Sequence, residues 1–330
     1  MEFWEVEKWL SAAFAVRALH SDTTFLTLTV RQTEPGSLTS VRLKRLLTVL
    51  TLLLRFAPVA FVPERSSAHK VPKKLCQRDR VFCFIESFFG GGFMKAVICD
   101  GRISPAMERG LQKYGYYVIK LPAAKTLPEG ISSHPDSLIF RLGDIFLTTC
   151  EYGEDASYVF SDVREFLESS RLYFIDESFE KSYPKDAMLN ALSFGKTLIA
   201  NKKTVAPKIL EISEKEGYTL KNVNQGYPNC SILKLDEENA ITADAGIYKA
   251  LCEIGVRTLL ISQGHISLPP YDYGFIGGAS GVDGDKVFFL GDLSRHPDAE
   301  KIESFIKELG MRVICLSDEP LADLGGLIFI

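Results

Sequence analysis

The sequence predicts an α/β fold: five repeats of strand, strand, helix and strand, arranged as a pseudo-symmetric five-bladed propeller whose ring is closed by the C-terminal strand. Three observations predict it. Five helices can be placed after Met94 from caps and apolar spacing, and each is followed by a β-rich run. The last four are also preceded by two short apolar runs, split by a tight turn bearing glycine, aspartate or asparagine. The unit recurs about every 40–50 residues, a period that belongs to propellers and solenoids.

The first unit opens on "KAVICD" (95–100). "SPAMERGLQKYG" follows, with Ser104 as N-cap, Pro105 at the first helical position and Gly115 as the left-handed stop. "YYVIKLP" (116–122) is its last strand. The second unit folds "SLIFRLGDIFLTT" (137–149) into a strand pair, then reads as a helix over 156–170 and a strand in "RLYFIDES" (171–178). The third reads "LNALSFGKTLIAN" (189–201), a helix over 206–217 and "YTLKNV" (218–223). The fourth reads "CSILKLDEENAITAD" (230–244), a helix over 245–255 and "VRTLLIS" (256–262). The fifth reads "GFIGGASGVDGDKVFFLG" (274–291), a helix over 297–310 and "MRVICLS" (311–317). One strand is missing from the first unit, and "GGLIFI" (325–330) is left over at the other end. Pairing it beside "KAVICD" completes the ring and exposes no sheet edge.

Composition divides the chain where the repeats begin. Residues 1–93 hold 13 Lys+Arg and 8 Asp+Glu; the whole chain has 38 and 42, which leaves 25 and 34 for residues 94–330. A basic leader precedes an acidic remainder. In the leader, "VRLKRLLTVLTLLLRFAPVAFV" (41–62) is interrupted by Arg55 and Pro58, which argues against a membrane span. Residues 1–93 are expected to be upstream DNA read in frame or a poorly ordered extension, with Met94 as the start and 94–330 as a single domain. The "GGGF" before Met94 fits a purine-rich ribosome-binding run in the DNA.

Seven cysteines without a CxxC pair indicate free thiols, hence a reducing cytoplasm, and no zinc site. An acidic domain without a basic stripe argues against nucleic acid. "FGKT" (194–197) lacks the first glycine of a phosphate loop, and "GGASG" (277–281) is not a dinucleotide fingerprint. No cofactor is expected, and the expected partner is a small-molecule ligand.

Residues able to do chemistry gather near the starts of the strand pairs. Cys230, opening a strand in "QGYPNCSIL", is either a reactive thiol or a buried one packed as a small hydrophobe. His265, in "QGHISLPPYDYG", is either its acid/base partner or a loop histidine bonded to its own backbone. His134 and His296 each precede a proline and read as turn or cap residues; Cys99, Cys150, Cys252 and Cys315 read as packing. Asp144, Asp186 and Asp323 suit a cation if buried and are turn formers if exposed. Tyr227, Tyr271, Tyr273 and Phe275 can wall a pocket, with Gly277, Gly278, Gly325 and Gly326 allowing close approach.

The repeat count, with "YPKDAMLN", "QGYPNCS", "LPPYDYGFIGG" and "LADLGG", resembles the pentein superfamily of guanidino-group-modifying enzymes, and within it an uncharacterised bacterial branch. The resemblance covers residues 94–330. It implies arginine deiminase, dimethylarginine hydrolase or amidinotransferase chemistry: a cysteine thiolate attacking the guanidinium carbon, a histidine acid/base, and acids gripping the guanidinium. At the implied positions this sequence has Gly325 or Gly326 for the cysteine, Gln225 for the histidine and Asn190 for an acid. The expectation is therefore a protein that binds a guanidino or amino-acid-like metabolite without the usual hydrolase residues, through Asn190, Gln225, Tyr227, Asp323, Tyr271, Gly277, Gly325 and Gly326. The alternatives are a guanidino-modifying enzyme with displaced machinery, Cys230 as nucleophile and His265 as acid/base, and a non-catalytic module for a protein partner.

Overall fold

A computed structural model describes residues 95–167 and 171–330. The expectations about residues 1–93 and about Met94 as the start lie outside them. Among the described residues the strands form five three-stranded sheets. The first holds β1 (Lys95–Asp100) and β2 (Tyr116–Leu121), joined by α1 (Pro105–Lys113). After α2 (Pro135–Leu138) come β3 (Phe140–Leu142), β4 (Ile145–Thr149), α3 (Cys150–Asp155), α4 (Ser157–Phe166) and β5 (Arg171–Ile175). The third sheet is β6 (Leu192–Phe194), β7 (Thr197–Ala200) and β8 (Thr219–Asn222), with α5 (Pro207–Lys215) crossing between the last two. Then α6 (Pro228–Ser231) leads into β9 (Ile232–Lys234), β10 (Asn239–Thr242), α7 (Ala245–Glu253) and β11 (Arg257–Leu260). The fifth sheet is β12 (Ser280–Asp283), β13 (Lys286–Phe289) and β14 (Arg312–Cys315), with α8 (Ala299–Glu308) before its last strand.

Each sheet repeats one pattern, an antiparallel pair followed by a parallel one across a helix. The leftover strand behaves as expected. β15 (Ile328–Phe329) pairs antiparallel with β1, setting Val97 against Phe329 and Ile98 against Ile328. Ala96 and Ile330 exchange both backbone hydrogen bonds at 2.8 Å. The two ends of the described domain are thus built into one sheet.

The caps also follow the sequence. Ser104 Oγ accepts from the Met107 N–H at 3.3 Å, and Asp244 Oδ1 accepts from Gly246 and Ile247 at 2.7 and 2.9 Å. Two strand expectations are corrected. The "S-L" of "SLIF" and the "C-S" of "CSIL" lie in α2 and α6, so Cys230 sits in a helical turn and opens no strand. Pro135 and Pro228 explain it: each takes the first helical position, where its fixed φ suits a turn and its missing N–H is not needed.

Behind the first and fifth sheets, Phe288 and Phe329 lie 5.2 Å apart with Tyr116 4.9 Å from Phe329. This aromatic contact holds β15 in addition to its few ladder bonds. Phe329→Ala should cost about 3 kcal/mol of stability by urea denaturation; a loss well under 1 kcal/mol would mean that the strand is dispensable.

Candidate functional site

Four backbone segments, those just ahead of β3, β9, β12 and β15, converge and are stitched together. The Asp136 N–H donates to the Gly325 carbonyl at 3.1 Å and the Gly278 N–H to the Cys230 carbonyl at 3.0 Å. Leu324 and Gly326 donate to the Gly278 carbonyl at 2.9 and 2.7 Å. The side chains inside this frame are polar, although nearly all are shut away from solvent.

Asn190 is the linchpin of one half. Its Oδ1 accepts from the Asn229 and Cys230 N–H groups at 2.7 and 3.3 Å. Its Nδ2 donates to Cys230 Sγ at 3.1 Å and to the Asp136 carbonyl at 3.2 Å. Cys230 Sγ–H in turn donates to Asp136 Oδ2 at 2.6 Å. In the other half, Asp323 accepts from the Phe275 N–H at 2.8 Å and the Gly325 N–H at 3.0 Å. His134, fully buried, stands between Asp323 Oδ1 at 3.7 Å and Asp100 Oδ2 at 3.8 Å, and neither ring nitrogen has a hydrogen-bond partner. Asp100 is bonded by Arg102 at 2.6 Å and by Ser133 Oγ at 2.7 Å.

Glycine is required where these groups press on the chain. A Cβ on Gly278 would fall 2.0 Å from Asp323 Oδ1. Gly325 has φ +71° and would meet His134 Cβ at 2.3 Å. Gly277 similarly faces the carbonyls of Asn229, Cys230 and Ile232.

The electrostatics follow from burial. Asp100 has Arg102, but neither Asp136 nor Asp323 is paired with a lysine or arginine among the described residues. Burial pushes the Asp136 carboxyl up to about 6, offset in part by the Cys230 and Ser137 hydrogen bonds. Burial, reinforced by the charge of Asp136, pushes Asp323 up to about 7. Burial lowers His134 to about 4, so it is neutral. The Cys230 thiol is driven well up, first by burial and then by the negative fields of Asp136 and Asp323. The resting group is a thiol, not a thiolate.

The sequence-derived candidates therefore separate. Asn190, Cys230, Asp323, Gly277, Gly278, Gly325 and Gly326 meet in the cluster. Gln225 does not: it donates to Asp244 at 3.0 Å, the N-cap of α7, and accepts from the Tyr227 N–H. His265 is exposed, with its ring 5.5 Å from His296, while the Cys230 thiol is held by Asp136 and Asn190. A Cys230/His265 pair is not assembled. Tyr227 and Tyr271 lie farther out near Asp186, to which Tyr227 Oη donates at 2.8 Å. Asp144 is an exposed turn residue bonded to Arg171. Cys252 and Cys315 are exposed, which corrects their reading as packing residues.

Sequence reading missed Asp100, Arg102, Ser133 and Asp136, and placed His134 outside the site. One signal was present. Pro135–Asp136 and Pro228–Asn229–Cys230 stand in matching places before their strand pairs, so comparing repeats points to Asp136.

The family model described as "Family of unknown function (DUF6873)" matches residues 98–328. No curated protein matches the chain. Among solved structures, a dimethylarginine dimethylaminohydrolase adduct with S-methyl-L-thiocitrulline is similar at TM-score 0.45 and 13% identity, covering 68% of this chain and 93% of that one. The inosamine-phosphate amidinotransferase of Streptomyces griseus is similar at 0.43 and 14%, covering 71% and 91%. The agmatine deiminase of C. jejuni is similar at 0.42 and 8%, covering 73% and 82%.

The raised carboxyls set the pH dependence of the empty protein. A carboxyl with a raised folded pKa keeps a proton that the unfolded chain has released, so its stabilisation is lost as pH rises through the folded value. His134, lowered, acts with the opposite sign and only toward acid, below its ordinary 6.5. Between pH 6 and pH 8 the unmodified protein should lose roughly 1 kcal/mol, about 2–4 °C in melting temperature, relative to Asp323→Asn. Parallel melting curves for the two would contradict a proton on Asp323. From β1 to β15, the chain belongs to the family of unknown function DUF6873.

Proposed function

We propose that this protein binds a small cationic metabolite, carrying a guanidino group or an amino-acid-like skeleton, at the cluster of Asp136, Asn190, Cys230 and Asp323. The five sheets would form a ring around it, closed by β15. The observation that carries the reading is the pair of buried carboxyls, Asp136 and Asp323, that no lysine or arginine pairs among the described residues. A guanidinium stays charged at any physiological pH and presents N–H groups in a planar fork that suits two carboxylates. Its arrival supplies the missing countercharge, so both carboxyls ionise and the protons leave. The usual positions for cysteine, histidine and acid hold Gly325 or Gly326, Gln225 and Asn190, and the resting Cys230 is protonated, which favours binding over turnover.

One observation favours a second reading, an enzyme acting on a C–N bond of the same class. Cys230 Sγ–H points at Asp136 Oδ2, a carboxylate able to take its proton and leave a nucleophile. His265 has no part in that arrangement.

Calorimetry of the full chain against a panel of guanidino compounds tests the first reading. Affinity should rise about tenfold from pH 6 to pH 8, because a carboxyl titrating near 7 must lose its proton to bind a cation. No binding by any compound, or binding independent of pH, would overturn it. The same panel is assayed for ureido product and ammonia; turnover abolished by Cys230→Ala would replace the binding protein with the enzyme.

A further inference from the structure

The two segments that carry Asn190 and Cys230 meet a second time, one step outward. Asp186 stands four residues before Asn190 and Tyr227 three before Cys230. Tyr227 Oη donates to Asp186 Oδ2 at 2.8 Å. Asp186 is only 5% exposed, and its Oδ1 is buried without a hydrogen-bond partner. A carboxylate oxygen left so is costly, and an N–H donor would relieve it.

The walls around it are aromatic and partly open. Tyr183 is 55% exposed with its ring centre 6.3 Å from that of Tyr227, and Tyr271 is 44% exposed. Each lies on a glycine: a Cβ on Gly226 would come within 2.5 Å of the Tyr183 ring, and one on Gly130 within 2.7 Å of Tyr271. Tyr227 touches Asp186 directly, and the Tyr271 hydroxyl, its pKa raised first by burial, is raised further by the charge of Asp186. Tyrosine faces around a carboxylate are suited to an alkylammonium: the rings attract the cation and cover its methylenes, while the carboxylate takes an N–H.

We propose that Asp186, walled by Tyr183, Tyr227 and Tyr271, is a second cation site for the alkylammonium end of a ligand whose guanidinium occupies Asp136 and Asp323. The ligand class is then a linear aminoalkylguanidine, cationic at both ends. This rests on the binding reading above and narrows it. The rival tail is a carboxylate, for which the structure has a different seat. Tyr183 also borders a cavity of about 470 Å³ lined by Lys202 and Lys203. There the lysine backbone N–H groups already donate to Asn222 and Asn201, and the lysine side chains are exposed, solvated charges. The buried, unpartnered oxygen is at Asp186.

The test compares a homologous series of aminoalkylguanidines with alkylguanidines and guanidino carboxylates of matched length, by calorimetry on the full chain. The best aminoalkylguanidine should bind about tenfold more tightly than its alkyl counterpart, as one charged hydrogen bond allows. Asp186→Asn should erase that ratio, and Tyr183→Ala, at an exposed ring, should reduce it without threatening the fold. Equal affinities, an advantage that survives Asp186→Asn, or tighter binding of the carboxylates would each overturn the proposal. If no guanidine binds, the inner site is refuted, and n-butylammonium then reports on Asp186 alone. A saturable, Asp186-dependent shift in the spectrum of the protein keeps the outer site; no shift removes it.

Discussion

Two buried carboxyl groups, with no lysine or arginine paired to them among the described residues, are the constraint around which the centre of this protein is arranged. An ionised carboxylate in a dry interior is costly, and both groups therefore hold their protons to higher pH than an exposed aspartate does. Burial pushes Asp136 and Asp323 up to about 6 and about 7. Cys230 stays a thiol first because it is buried, and then because Asp136 and Asp323, wherever they ionise, oppose a further negative charge. Asp100 shows the contrast: with Arg102 and Ser133 bonded to it, its negative charge has partners.

The surroundings follow from that constraint. Gly278 and Gly325 leave room for Asp323 and His134, and no side chain could replace them without displacing the acid or the ring. The one-turn helices α2 and α6 carry Asp136 and Cys230 into the interior before the chain extends into β3 and β9. Each sheet supplies its part through the segment that precedes one of its edge strands, β3, β6, β9, β12 or β15, a division of labour that a repeat fold makes available.

The fold was legible because periodicity and caps are local signals. The five strand pairs, the cap at Ser104, the stop at Gly115 and the pairing of the C-terminal strand with β1 could all be read from residue order. The site was legible only in part. Asn190, Cys230 and Asp323 stand a few residues ahead of β6, β9 and β15 and were singled out as candidates. Asp136 and His134 were not, since a proline beside each looks like ordinary turn chemistry and burial is not written in the sequence. Gln225 and His265 looked well placed along the chain, yet Gln225 is hydrogen-bonded to Asp244 and His265 lies exposed in an edge-to-face contact with His296. Which side chains meet across repeats far apart in sequence is decided by packing.

The most direct measurement is carbon-13 NMR of the Asp136 and Asp323 carboxyl carbons through a pH titration, without ligand and with a saturating guanidinium. Without ligand the two carboxyls should titrate near 6 and near 7. Both should move back toward the ordinary carboxylate range when the cation is bound. Two carboxyls that already titrate near 3.8 in the empty protein would contradict this, because the cluster would then hold stable negative charge and have no need of a cation.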